Sequence, residues 1–189
     1  MAEPSPFKRE RHLLGAIIAG GGSRRFGSDK ALALLDGRPL LAHVVEALRS
    51  ETDDLVICGR NVEGHLCLDD FPAPGLGPLG GIAAALRHAS ERGYDAVLTS
   101  ACDTPLLPDG LAQRLAGKGP AFIDGQPLLG YWPASLAPEL ERYLQRSPDR
   151  SMRGWAQAAG ARAVRFERDI PNINHAADLA ALQQLHPAQ

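Results

Sequence analysis

The chain has 189 residues, 44% of them apolar and 5% aromatic, and a formal net charge of −2. That length and composition suit one α/β domain with a substantial core. A near-neutral chain with no basic block beyond Lys8-Arg9-Glu10-Arg11 lacks the electrostatic footprint of a binder of nucleic acid or of an acidic membrane, so small-molecule partners are expected. Residues 1–12 hold prolines and charges without an apolar segment of signal-peptide type, and no apolar run approaches the length of a membrane span. They are expected to form a loose tail on a cytoplasmic protein whose residues 13–189 make a single domain. Cys58, Cys67 and Cys102 are odd in number and lack C-x-x-C spacing, which indicates neither a disulfide framework nor a zinc site; they read as small buried hydrophobes near strand ends.

Residues 13–19, Leu-Leu-Gly-Ala-Ile-Ile-Ala, form an unbroken apolar run too short for an ordinary helix, which predicts a strand buried on both faces of a parallel sheet. A loop follows in which Gly20, Gly21 and Gly22 let backbone N–H groups approach a ligand, while Arg24, Arg25 and Lys30 surround it with positive charge. The combination suits phosphate binding, yet neither common phosphate loop fits. The G-x-G-x-x-G fingerprint begins at Gly20 and Gly22 but meets Arg25 in place of its third glycine. The G-x-x-x-x-G-K-[ST] pattern reaches from Gly22 to Gly27, but Ser28 stands at its lysine position and Ala31 follows the actual lysine. No long helix follows, because the next five residues run into the turn pair Asp36-Gly37. The chain has three lysines against seventeen arginines, so Lys30 is not a product of its general usage.

Pro39 then opens a helix whose apolar stripe is Leu40, Leu41, Val44, Val45 and Leu48. Residues 54–58 and 65–68 are two further strands, the second ending in Asp69-Asp70. Residues 71–81 hold three prolines and four glycines and form a loop until a helix begins near Pro78, carried inward by Ile82, Ala85, Leu86 and Ala89. The glycines at its start offer unpaired N–H groups and a positive dipole end to an anion or base. Residues 96–101 make the next strand, followed by Cys102-Asp103-Thr104-Pro105. An aspartate at the carboxyl end of a parallel strand stands where open α/β sheets bind ligands, and Mg²⁺ needs only one or two carboxylates beside substrate phosphates, so Asp103 is the candidate metal ligand. The alternative, a cap for the helix starting near 108–110, is better served by Asp109. Residues 120–123 and 127–132 pair around the hairpin signal Asp124-Gly125. Residues 136–144 and 152–159 are helical, 163–166 a late strand, and 177–185 a final helix with Asn174 placed to cap it.

The segment A-G-G-x-S-x-R-F-G-x-D-K after a buried strand resembles the signature loop of the molybdenum cofactor guanylyltransferase family, within the nucleotidyltransferase superfamily. Gly77-Pro78-Leu79-Gly80-Gly81 after Asp70, Gln126-Pro127-Leu128-Leu129-Gly130, and Asn172-Ile173-Asn174 before the last helix match the same family, so the resemblance spans residues 13–185. It implies a three-layer, Rossmann-like fold of the nucleotide-diphospho-sugar transferase type with a mainly parallel sheet, interrupted by an antiparallel excursion in its second half. It implies transfer of GMP from GTP to the terminal phosphate of molybdenum-bound molybdopterin, with Mg²⁺ as cofactor and transient contact with other cofactor-biosynthesis proteins. Arg25, Lys30 and Asp103 would be catalytic, and nucleotide contacts would come from Ile18, Ala19, Gly20, Gly21, Gly22, Lys30, Asp70, Gly77, Gly81 and Asp103. Gln126, Pro127, Asn172 and Asn174 would border the acceptor, while Arg150 and Arg153 are either acceptor-phosphate contacts or solvated arginines. Cys58 departs from the pattern, since some members present Asn there toward the nucleotide. The alternatives are a CTP-dependent relative, another small-molecule phosphate nucleotidyltransferase, or a nucleotide-sensing module without catalysis, against which Lys30 and Asp103 together argue.

Overall fold

A computed structural model of the protein describes residues 11–20, 29–167 and 170–185. The run at the start of the chain forms β1 (Leu13–Ile18), with all six residues buried. Its alternation explains why all six are apolar. Leu14, Ala16 and Ile18 belong to the core on one face, and Ile17 and Ala19 to the core on the other, so no position is left for a polar side chain.

After β1 the chain makes a 3₁₀ turn (Lys30–Leu32) and a minimal hairpin of β2 (Leu34–Leu35) and β3 (Arg38–Pro39). The hairpin closes through Asp36 and Gly37, both at positive φ (50° and 76°), as a primed two-residue turn requires. Helix α1 (Leu40–Arg49) buries the predicted stripe, and β4 (Asp54–Cys58) and β5 (Leu66–Leu68) follow. Helix α2 (Pro78–Arg92) begins with Pro at its first position and ends on Gly93 in the left-handed conformation. Then come β6 (Ala96–Ala101), α3 (Leu111–Leu115), β7 (Ala121–Ile123), β8 (Gln126–Pro133), α4 (Ala137–Arg146), α5 (Met152–Ala158), β9 (Arg162–Val164) and α6 (Ala176–Leu185).

Seven strands form one sheet in the order β5-β4-β1-β6-β8-β7-β9. Pairings are parallel from β5 to β6 and between β7 and β9, and antiparallel where β8 meets β6 and β7. Helices cover both faces, α2, α4 and α5 on one and α1 and α3 on the other, which is the three-layer α/β arrangement. Fully buried Leu79, Ile82 and Leu86 of α2 each contribute about 1.5–3 kcal/mol of burial free energy against the first face. Across the antiparallel boundary, Val97 pairs with Trp132, whose buried indole N–H donates to Thr99 at 3.0 Å.

Two local expectations differ from the structure. Asp109 does not cap α3; the carboxylate of Glu51, from the turn after α1, accepts the N–H groups of Gly110 (2.6 Å) and Ala112 (3.0 Å). A carboxylate 59 residues away in sequence leaves no local signature. At the other end, Arg11 and His12 are held rather than loose. Arg11 donates to the Tyr131 hydroxyl and the Gly117 carbonyl, and His12 stacks on Tyr94 with ring centroids 4.4 Å apart.

Candidate active site

All four parallel strands from β5 to β6 deliver their carboxyl ends to one edge of the sheet, and the predicted residues gather there in two groups. The first is built on backbone proximity. Ala19 donates its N–H to the Cys58 carbonyl at 2.9 Å, drawing the ends of β1 and β4 together. There Gly20 and Gly59 touch main chain to main chain: a Cβ on Gly59 would stand 2.5 Å from the Gly20 Cα, and Gly59 has φ of 83°. Only glycine satisfies both demands. The N-terminus of α2 is fitted to the same place, since a Cβ on Gly81 would meet the Cys58 Cβ at 3.0 Å, and one on Gly80 would meet the Asp70 Cγ at 2.8 Å. Gly77 precedes the helix at φ 63° and ψ −154°, a region essentially reserved for glycine. Ile18, Ala19, Gly20, Asp70, Gly77 and Gly81 are therefore neighbours across four elements. Desolvation, opposed by a bond from the Gly75 N–H, raises the pKa of the Asp70 carboxyl above its usual value.

Cys58 is fully buried under α2, and burial pushes its thiol up to about 12. Cys67 and Cys102 are half-buried near strand ends, and all three thiols are free.

The second group is a charged one. Lys30 Nζ donates to Asp103 Oδ2 at 2.6 Å and to Asn174 Oδ1 at 3.3 Å. The lysine and aspartate side chains retain only 11% and 18% exposure, so this pair is shielded from bulk screening. Three separate segments meet here. Lys30 sits in the 3₁₀ turn, Asp103 lies two residues past β6, and Asn174 precedes α6. The last segment is fixed by Ile173, which is buried at 1% exposure and whose N–H donates to the Asp103 carbonyl at 2.9 Å. Thr104, also buried, reaches Asp103 Oδ1 at 3.4 Å.

Asn174 is not the α6 cap expected from its position. Its side chain is turned to Lys30, and Asp178 Oδ2 instead accepts the N–H groups of Asn174 (2.8 Å) and His175 (2.7 Å). Those two bonds hold the Asp178 carboxyl below the usual aspartate range.

Two residues that sequence reasoning passed over tie the groups together. Arg60, directly after Gly59, donates through both terminal nitrogens to the two Asp29 carboxylate oxygens. Asp29 caps the 3₁₀ turn by accepting the Ala31 N–H at 3.2 Å. The β4 loop thereby sets the turn that carries Lys30, and the paired guanidinium keeps the Asp29 carboxyl below its ordinary value. A lone arginine after a strand gives no such signal; only the D-K dipeptide hinted that Asp29 had work to do.

Gln126 donates from Nε2 to the Ile170 carbonyl, which binds the start of β8 to the segment leading to Asn174. Pro127 lines a small pocket beside α5, and Asn172 is exposed. Gly21, Gly22 and Arg25 lie outside the described residues. Asp103 suits a hard cation that keeps its remaining ligands as water and phosphate oxygens, and the Lys30 ammonium against Oδ2 shows its carboxylate presented to positive charge. Among the described residues there is no group of three or more His, Cys, Asp or Glu that could hold a metal, as a closed structural site would need. Nor is any helix among them long and apolar enough to cross a membrane.

Residues 15–164 match the MobA-like NTP transferase domain. A molybdenum cofactor guanylyltransferase from Acidiphilium cryptum is 36% identical over 97% of this chain and 98% of its own. Another, from Cereibacter sphaeroides, is 36% identical over 92% and 96%. The crystal structure of molybdopterin-guanine dinucleotide biosynthesis protein A from Archaeoglobus fulgidus superposes with a TM-score of 0.74 at 25% identity, covering 91% of this chain and 97% of its own.

Proposed function

The chain belongs to the MobA-like NTP transferase family of nucleotidyltransferases, and on that premise we propose that it transfers GMP from GTP to the terminal phosphate of molybdenum-bound molybdopterin. The observation that carries the reading is the meeting of Lys30, Asp103 and Asn174 beside the glycine-lined ends of β1 and β4. GTP, and not CTP, is supported by the relatives named guanylyltransferases. The cytoplasm is the expected setting, in keeping with three free thiols.

The reaction forms a bond from an acceptor phosphate oxygen to the α-phosphorus of GTP and breaks the bond from that phosphorus to the β-phosphate bridge, whose electron pair leaves with pyrophosphate. The acceptor phosphate has a second pKa of ~6 and is largely dianionic at neutral pH, so no general base is needed. What must be supplied is positive charge where anions converge. In this reading Gly20 to Gly22 hold phosphate through backbone amides, and Arg25 adds its guanidinium. Lys30, whose ammonium carries three donors, exchanges a contact with Asp103 or Asn174 for a phosphate oxygen as the triphosphate enters. Asp103 would hold Mg²⁺, with Asp70 as the next candidate; when bound, the ion supplies neutralisation of the triphosphate and of the departing pyrophosphate. Asn172 and Asn174, with Gln126 and Pro127, would border the acceptor.

Thermal stability in the presence of each NTP, with and without Mg²⁺, tests this assignment. GTP with Mg²⁺ at 100 times its Kd should stabilise the protein by roughly 2.7 kcal/mol. A larger shift with CTP would move the chain to the cytidylyl relatives. A GTP shift without pyrophosphate release in the presence of molybdopterin would make it a sensing module.

A further inference from the structure

Beyond the antiparallel boundary the sheet edge carries a second feature that the phosphate chemistry does not use. Strand β8 runs antiparallel to β6 with Thr99 opposite Gly130, and Thr99 Oγ donates to the Leu128 carbonyl at 2.7 Å. Residues 126–128 therefore pass the carboxyl end of β6, and the hairpin tip at Asp124-Gly125 projects on the side of Asp103 away from β1. Beside that tip, under α5, lies a pocket of about 290 Å³ lined by Phe122, Asp124, Pro127, Arg153 and Gln157. Arg153 and Gln157 are four residues apart on α5 and so share a helix face.

The volume and chemistry limit what fits. Ligand pockets for drug-sized molecules start at roughly 300 Å³, so this one takes a small bicyclic ring and not a whole nucleotide. Phe122 and Pro127 offer apolar surface to flat ring faces, Asp124 is acceptor-only when ionised, and Arg153 and Gln157 carry donors. A 2-amino-4-oxopyrimidine presents the complementary edge: two adjacent N–H donors that a carboxylate takes as a parallel pair, next to a carbonyl that accepts from arginine or amide. Guanine and pterin both carry this edge. The position separates them, because the nucleotide elements lie on the β1–β4 side of Asp103 and this pocket lies on the β8–β7 side.

The Asp124 carboxylate is not needed by its turn. The tip is held by the Asp124 N–H on the Val164 carbonyl (2.9 Å) and by Gly125 at φ 81°. Its side-chain partner, Arg165 at 3.1 Å, is 89% exposed, and so open a pair is readily exchanged for a ligand. Resting on the guanylyl-transfer reading, we infer that this pocket binds the pterin ring of the acceptor, with Asp124 reading its N–H pair and α5 its carbonyl.

Asp124→Asn is the discriminating variant, because Asn-Gly serves a two-residue hairpin as well as Asp-Gly while turning a carboxylate into an amide. Losing hydrogen bonds to a charged group corresponds to about a 10- to 100-fold effect. The KM for molybdopterin should rise by that factor with the KM for GTP unchanged within about twofold. A rise in the GTP KM alone would assign the pocket to guanine, and no change in either would remove it as a binding site; both results overturn the inference. A second arm works without turnover: quenching of pterin-6-carboxylate fluorescence by the wild-type protein should exceed that of its 2,4-dioxo analogue, and Asp124→Asn should abolish the preference. If the wild-type protein transfers no guanylyl group yet shows this preference, the function fails and the pocket stands; if it transfers but shows no preference, the pocket fails alone.

Discussion

Replacing Asp103 by Asn tests the charged group at its centre. The Lys30–Asp103 contact is 2.6 Å long between side chains only 11% and 18% exposed. Removing one partner of a fully buried pair costs about 3–5 kcal/mol. Partial exposure and the amide oxygen that Asn keeps for the Lys30 proton reduce this to about 1–3 kcal/mol. In a chain of this size each 1 kcal/mol moves Tm by roughly 2–4 °C, so the variant should melt roughly 2–12 °C lower and remain folded at 25 °C. Mg²⁺-dependent turnover should fall by orders of magnitude, mainly in kcat. Without Mg²⁺, GTP should bind somewhat more tightly, because a negative charge has left the phosphate site and Lys30 no longer exchanges a carboxylate for phosphate. A double-mutant cycle with Lys30→Met, read by urea unfolding, should return a coupling energy of about 1 kcal/mol or more. Coupling below about 0.3 kcal/mol, or full Mg²⁺-dependent activity in Asp103→Asn, would refute the reasoning.

Asn174→Ala should cost no more than about 1 kcal/mol of stability, since its side chain makes one long bond and the helix end is held by Asp178, yet turnover should drop at least tenfold; normal turnover in the folded variant would leave it without a part in the site. Arg60→Met should lower kcat with little change in unfolding free energy, because it loosens Lys30 through Asp29, and Arg60→Lys should rescue only partly since a point charge cannot take both carboxylate oxygens. The same pair has an acid signature. Asp29 has its folded pKa depressed, so its contribution to stability is present above the ordinary value of 3.8 and is lost as pH falls below it through the folded pKa; Asp29→Asn should flatten stability against pH in that window only. Gly59→Ala should destabilise by about 1–3 kcal/mol from its φ alone, with more from the 2.5 Å approach to Gly20, and should weaken GTP binding; an unperturbed Tm would contradict the close packing at that edge.

The parallel half of the fold was legible because its signals are local. An unbroken apolar run, a turn pair at Asp36-Gly37 and a proline at the start of α2 each dictate backbone conformation within a few residues. The hairpin was read from Asp124-Gly125, and Lys30, Asp103 and Asn174 were each singled out from the chain. What the sequence hid was their mutual contact. Lys30 was read as a phosphate ligand and Asp103 as a metal ligand, and the structure places them on each other, a pairing across 73 residues that depends on how the loops fold back. Capping departed from the local reading in two places. Asp109 stands at a good position, but Glu51 reaches the N–H groups of Gly110 and Ala112 from far along the chain; the Asn174 side chain is drawn to Lys30 instead, while Asp178 takes the N–H groups of Asn174 and His175. Gly80 and Gly81 carry a demand the sequence did not show, bare backbone that lets α2 settle against Asp70 and Cys58.

The central claim is guanylyl transfer, and following the α-phosphate decides it. With GTP labelled at that position, molybdenum-bound molybdopterin as acceptor and Mg²⁺ present, label should enter a dinucleotide product with one pyrophosphate released per transfer, and labelled CTP should give far less. Label entering product only from CTP, or release of pyrophosphate with no dinucleotide formed, would contradict the account.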